Sequence, residues 1–327
     1  MKKVASFVLS VSVFVITTIM ITSCAKEQVD NNFPETVAVN KDTVYSSIAD
    51  FQTKNGLTGN HVSISASSGG TFTTTQGTIV KVPANAFIDN SGNIVTGIVD
   101  VEFKDIYLKS DMLMNDKPTV SFWGTPLKSG GEFFIRAKSG NVAVNLNGAN
   151  PIIIVQPAAK VDSAMVPFLG NVNAGVLAWG DSVQGQATLK DSVASYIFSL
   201  YRFNYPADSG TWCNSDNSTY FSAYPQTTLT LHANDVVDSF RTEVFLVFTG
   251  INSMVHVYRS YTPTNSQDFP YNYAPVGLSC TVVAIGVRNG HLYSSFTPIT
   301  ISNNLTTSFT LNQITTAAFM TQLKTLN

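Results

Sequence analysis

The cysteines are the most reactive side chains in this chain, and there are three of them. Cys24 closes an apolar run, Val4–Ile21, that follows Met1-Lys2-Lys3. A basic start followed by a short apolar core makes a secretory signal, and Cys24 follows that core. Cys213 and Cys280 are an even remainder, and outside the cytoplasm such a pair invites a disulfide. Two separate buried thiols are the other reading, because free cysteine packs as a small hydrophobe and sequence separation does not give a Cα distance.

The other chemistry-bearing residues are scattered. His61, His232, His256 and His291 lack the spacing of a zinc site, and no HExxH occurs; each reads as a surface or loop residue. There is no Gly-x-Ser-x-Gly elbow, P-loop or GxGxxG, and no cofactor is implied. Asp89-Asn90-Ser91-Gly92-Asn93 has calcium-loop residue types without the closing acid, so it reads as a hairpin turn. Acidic residues are too dispersed for a glycosidase pair to be nominated, although a pair assembled in space stays open. Nineteen Lys and Arg stand against 21 Asp and Glu, with no basic block. A duplex nucleic acid, which needs a cationic footprint, is a poor partner for such a chain.

Ile21-Thr22-Ser23-Cys24 resembles a bacterial lipobox: a branched aliphatic residue, two small residues and a cysteine. The resemblance implies cleavage before Cys24, a diacylglycerol (palmitate-type acyl chains) on its thiol, and anchorage in the outer membrane. An uncleaved transmembrane anchor is the alternative, since the run is nearly long enough to span a bilayer. The polar residues 25–32 resemble the tail after the cysteine in surface-exported lipoproteins of Bacteroidota, which implies a cell-surface position, with a periplasmic face as the alternative.

The elements that must position these groups are strands. Ile98–Lys104 alternates strictly, with Val99, Val101 and Phe103 on one face and Asp100, Glu102 and Lys104 on the other, the mark of a half-buried strand. Short strands with turn signals between them continue to the C-terminus, and Arg288-Asn289-Gly290-His291 is a hairpin turn suited to type I′ geometry. The expected fold is all-β: two β-sandwich-like domains and a short C-terminal amphipathic helix, in which Phe319, Met320, Leu323 and Leu326 share one face. The expected divisions are a signal peptide at 1–23, a tether with a possible short helix at 24–58, an N-terminal sandwich at 59–165, a linker at 166–190 and a C-terminal β domain at 191–327.

Gly69-Gly70, Gly77, Pro83-Ala84, Ala86 and Phe87 together resemble the opening of ZU5-like β modules, and Gly130–Ile135 looks like the middle of such domains. The likeness implies a fold and carries no binding residues. Thr211–Phe221 resembles a Gly-Trp-x-Asn-x-Asp-x-Phe turn of secreted Bacteroidota proteins, through Trp212, Asn214 and Asp216. Asp-Ser/Thr followed by an aliphatic residue resembles the O-glycosylation acceptor pattern of the same phylum, which implies Thr43, Ser163, Ser182 and Ser192 as acceptors.

Two aromatic groups complete the inventory. Tyr196–Tyr224 reads as core. Tyr261, Phe269, Tyr271 and Tyr273 lie in a Pro-rich stretch that excludes a central strand, so a ligand-contacting shelf is an equal reading there. The expected function is a lipid-anchored, non-catalytic binding module, an adhesin or scaffold for a protein or glycan partner. A secreted hydrolase acting on glycans through a spatially assembled acidic site is the alternative.

Overall fold

A computed structural model describes residues 43–173, 176–180, 183, 185–204, 210–235, 242–260 and 267–327. Cys24, Ser182 and Tyr261 lie outside these residues. In chain order, helix α1 (Ile48–Asn55) precedes strands β1 (Asn60–Ser65), β2 (Gly70–Thr73), β3 (Ile79–Val82), β4 (Phe87–Ile88) and β5 (Ile98–Ile106). Helix α2 (Lys109–Met114) is followed by β6 (Lys128–Ser139), β7 (Val142–Ala143), β8 (Asn145–Leu146) and β9 (Ile152–Pro157). Then come β10 (Val166–Asn173), β11 (Val176–Gly180), β12 (Ala187–Ser192), β13 (Ser195–Leu200) and β14 (Thr211–Asn217). The remainder is β15 (Gln226–Ala233), β16 (Thr242–Phe248), β17 (Met254–Val257), β18 (Asp268–Pro275), β19 (Ser279–Arg288), β20 (His291–Thr300), β21 (Thr306–Phe309), β22 (Asn312–Gln313) and helix α3 (Thr316–Lys324).

The fold is all-β, built as two sandwiches. The first pairs a sheet ordered β1-β5-β6-β14-β10-β11 with one ordered β12-β13-β9-β3-β2. Alternation decides its core: Val99, Val101 and Phe103 point inward beside Phe133, Ile135, Ile152, Ile154 and Phe198. Phe133 stacks on Phe103 and meets Phe198 edge-on, with centroids 5.4 and 5.0 Å away. Gly69 is required where β2 begins: its φ is +70°, and a Cβ there would sit 2.3 Å from the Val82 carbonyl oxygen.

The second sandwich packs β18-β15-β21 on β17-β16-β19-β20-β22. Its core takes Leu229, Leu231, Val244, Leu246, Val282 and Ala284. Asn289 (φ 52°) and Gly290 (φ 82°) make the turn between β19 and β20, as the type I′ reading requires. The opposite face of the β16–β19 sheet is covered by the helices: Ile48 and Phe51 of α1, Met112 and Leu113 of α2, and Phe319 and Leu323 of α3 pack on Phe245, Val247, Val283 and Ile285. In α1 (Ile48, Phe51) and α3 (Phe319, Leu323) the buried residues lie three and four positions apart, on one stripe of each helix. Ser47 caps α1 by accepting from Asp50 N, and Thr315 caps α3 by accepting from Ala318 N.

The structure corrects three expectations and decides between the two readings of the cysteines. The segment 166–190 is not a linker: β10 and β11 extend the first sheet, and β12 opens the second. The boundary at 191 also moves, because β13 and β14 complete the first sandwich, β14 pairing with β6 on one side and β10 on the other. Thr211–Asn217, which resembled a turn, is therefore an inner strand. Its polar residues Asn214, Ser215 and Asp216 are all wholly buried. Finally, Cys213 and Cys280 are separate free thiols in different cores, so no disulfide joins them. Burial pushes the Cys213 thiol well up and that of Cys280 to about 12, which keeps both as protonated packing groups.

Candidate functional site

The expected aromatic shelf is mostly core. Phe269 and Tyr271 are 1% and 8% exposed on β18, and they pack into the second sandwich. Pro270 and Pro275 are accommodated because β18 is an edge strand. Tyr273 alone of the described shelf residues stays accessible, at 38%.

The exposed aromatics lie elsewhere, at the tip of the loop between α2 and β6. Phe122 is 62% exposed and Trp123 is 74% exposed, and their rings form a T-shaped pair 5.4 Å apart. Leaving two such rings in water forgoes roughly 2 kcal/mol of burial free energy apiece. The loop is not loose. Ser121 N donates to the Thr125 carbonyl (2.9 Å), and Gly124 N donates back to the Ser121 carbonyl (2.9 Å). The Ser121 hydroxyl oxygen accepts from Trp123 N and Thr125 N, both at 3.2 Å, and bonds the Thr125 hydroxyl at 2.6 Å.

Both sandwiches hold this tip. Phe122 N donates to the Trp179 carbonyl and Trp179 N to the Val120 carbonyl, so the loop runs parallel to the edge strand β11. The Trp179 indole N–H donates to the Pro118 carbonyl at 2.8 Å, and its ring fills a small core with Leu127, Phe168 and Leu177. From the other side, the Tyr271 hydroxyl donates to the Gly124 carbonyl at 3.0 Å. Gly124 has φ +87°, and a Cβ on it would meet the Tyr273 ring at 2.9 Å. Thr119, at the foot of the loop, exchanges hydrogen bonds with Met254. An aromatic pair held this firmly meets a partner without first being ordered.

A cleft of about 1020 Å³ opens elsewhere, lined mostly by the first sandwich and also by Gly250 and Asn252 of the β16–β17 turn. Gln76, Tyr107, Lys128, Ser129, Asp162 and Tyr196 are among its lining residues. Lys128 Nζ lies 2.7 Å from Asp162 Oδ2 and 4.9 Å above the Tyr220 ring. That ammonium, aided by Ala164 N and the Asn217 amide, holds the Asp162 carboxyl below the usual carboxylate range. Ser163 stands exposed on the wall of this cleft, whereas Thr43 and Ser192 are exposed elsewhere. Behind the cleft, Asp105 is buried and accepts from the hydroxyls of Thr74 and Thr78; Thr78 also bonds the Tyr107 hydroxyl at 2.6 Å. Burial pushes the Tyr107 phenol up, so it acts as a neutral hydrogen-bonding group.

Of the four histidines, His61, His232 and His291 are exposed as expected. His256 is not: it is 7% exposed, bonds Asp116 Oδ1 through Nδ1 at 2.8 Å and stacks on Tyr258 with ring centroids 4.3 Å apart. The β16–β17 hairpin carries it under the loop at Asp116, a contact between elements 140 residues apart. Among the described residues, no group of three or more His, Cys, Asp or Glu is disposed to hold a metal ion, and no helix is long and apolar enough to cross a membrane.

No protein-family model, curated protein or solved structure matches the chain.

Proposed function

We propose that this chain is a lipid-anchored envelope protein, tethered at the outer membrane through Cys24, that binds a partner protein through Phe122 and Trp123. One observation carries the reading: two large aromatic rings are kept in water on a loop whose backbone is fixed from both sandwiches. Trp is the residue type most enriched among binding hot spots, and a preordered anchor loses little entropy on association. The edge-to-face pairing forms a protruding knob. A knob suits a pocket on a protein better than the flat ring face on which a sugar would stack. The lipobox at Ile21–Cys24 and the sparse charge support a place outside the cytoplasm. The carboxylate that lines the cleft, Asp162, is engaged by Lys128, Asn217 and Ala164, which is the setting of a structural acceptor more than of a general acid.

The test is a photo-crosslinking amino acid at position 122 in cells making the full chain. A discrete protein adduct that disappears in Trp123→Ala, with thermal midpoint unchanged, supports the reading. Absence of any adduct, with Trp123-dependent retention on envelope polysaccharide, would replace the protein partner by a glycan.

A further inference from the structure

We infer that Glu132, Asn214 and Asp216 form a buried site for a hard divalent cation, with calcium as its probe. The three residues sit on β6 and β14, the inner strands of the first sheet. Asn214 is the direct register partner of Glu132, so the two side chains leave the sheet on the same face. Asp216 follows across an irregularity in the pairing, where it faces Ser129 while Gly130 and Gly131 lie between the paired positions of β6. All three side chains are wholly buried.

Their hydrogen bonding is incomplete in a particular way. Both oxygens of Glu132, both oxygens of Asp216 and Nδ2 of Asn214 have no hydrogen-bond partner. Buried polar groups in native proteins are nearly always satisfied, and an unpaired buried carboxylate is among the most costly exceptions. Asp105 shows how this same sheet satisfies a buried acid, surrounding it with the hydroxyls of Thr74 and Thr78 and the Gln76 amide. Glu132 and Asp216 have no such donors. Ser129 lies near Asp216, yet its hydroxyl donates to Asn214 Oδ1 at 2.8 Å, and its oxygen accepts from Gly131 N at 3.0 Å. The ammonium whose field reaches Glu132 is that of Lys117, which bonds the Asp116 carbonyl and lies 5.2 Å over the Trp212 ring.

Two carboxylates therefore lie close enough to feel each other's charge with no hydrogen bond made to either, and the Asn214 amide, its Nδ2 also unpartnered, adjoins them. A cation answers four acceptor oxygens at once. The donor set is oxygen throughout, with neither thiolate nor imidazole, which selects calcium or magnesium over zinc. Two bidentate carboxylates leave room for a backbone carbonyl or water, within the six to eight oxygens calcium takes. Ser129 and Gly130, which line the large cleft, lie just before Glu132 on β6.

The experiment uses the full chain, freed of metal by chelation and titrated calorimetrically with calcium chloride. Thermal midpoints are followed in parallel. The expected result is saturable binding of one calcium ion per chain, a midpoint that rises with calcium, and at least about tenfold weaker binding in Glu132→Gln and Asp216→Asn. Trp123→Ala, on the exposed loop outside these strands, should bind calcium as the unaltered chain does, which separates this inference from the proposed partner site. No heat and no midpoint shift up to about 10 mM calcium or magnesium, beyond the range of extracellular calcium modules, overturns the inference. So does calcium binding that both variants retain. If the variants fail to fold, metal analysis of the unaltered chain after equilibrium dialysis against calcium decides it: stoichiometric metal supports the site, and none removes it.

Discussion

The Tyr271 hydroxyl donates to the Gly124 carbonyl at 3.0 Å, tying the edge strand of the second sandwich to a loop that belongs to the first. This bond should be measurable. Tyr271→Phe keeps the buried ring and deletes one hydrogen bond, so it should lower stability by about 1 kcal/mol in denaturant titration. Partner affinity should fall as well, because the Phe122–Trp123 tip loses part of its preorder. Unchanged affinity with lowered stability would show that the tip needs no clamp.

Gly124→Ala tests the same tip more severely. The substitution places a Cβ 2.9 Å from the Tyr273 ring at a φ of +87°. Both the left-handed backbone and the contact oppose alanine, so a loss of about 1–3 kcal/mol is expected. Wild-type stability in this variant would mean that the loop is free to re-form.

Asp105→Ala removes the acceptor shared by Thr74 and Thr78. Two buried hydroxyls are then left without it, and the expected cost is about 3 kcal/mol or more. Replacing both threonines by valine in that background should recover part of the loss. A double-mutant cycle with no coupling would contradict the network.

The pH dependence follows from Glu132 and Asp216. Burial, and for Glu132 also the neighbouring Asp216, raises both carboxyls well above their ordinary range. The folded chain then holds these protons after the unfolded chain has released them. Stability from this source is full below the unfolded values near 4 and declines as pH rises toward the raised folded ones. Lys117 opposes the rise at Glu132 without cancelling it. In chelator, thermal midpoints should therefore fall as pH rises above about 4, and Glu132→Gln should flatten the decline. A midpoint that rises across this range in chelator, with no difference in the variant, would show that neither group governs stability.

Cys213 and Cys280 are wholly buried, at 0% and 1% exposure, and unpaired. A thiol reagent should label both only after unfolding, and a reductant should leave the midpoint unchanged. Rapid labelling under native conditions would contradict their burial.

Local signals made much of this fold legible before any coordinates. The alternation of Ile98–Lys104, the Asn289-Gly290 turn and the apolar stripe of α3 each record a constraint that neighbours in sequence can satisfy. The inner strand β14 was not legible, because Asn214, Ser215, Asp216 and Asn217 have the composition of a turn. They are buried only because elements far away in sequence cover them. The aromatic tip was missed for a related reason. Thr119–Phe122 alternates like a strand, yet Ser121 turns the chain back on itself, and only the Phe-Trp-Gly run beside Pro126 marks the reversal. His256 read as a loop residue since its partner, Asp116, is remote in the chain.

The insertion of β14 between β6 and β10 also sets a schedule for synthesis. When the ribosome has released residues up to β11, the first sheet still lacks its middle strand, and β6 and β10 present open edges of the kind that recruit stray strands. A fragment ending at 190 would keep that gap permanently. The chain thus stays in need of protection until residue 217 has emerged.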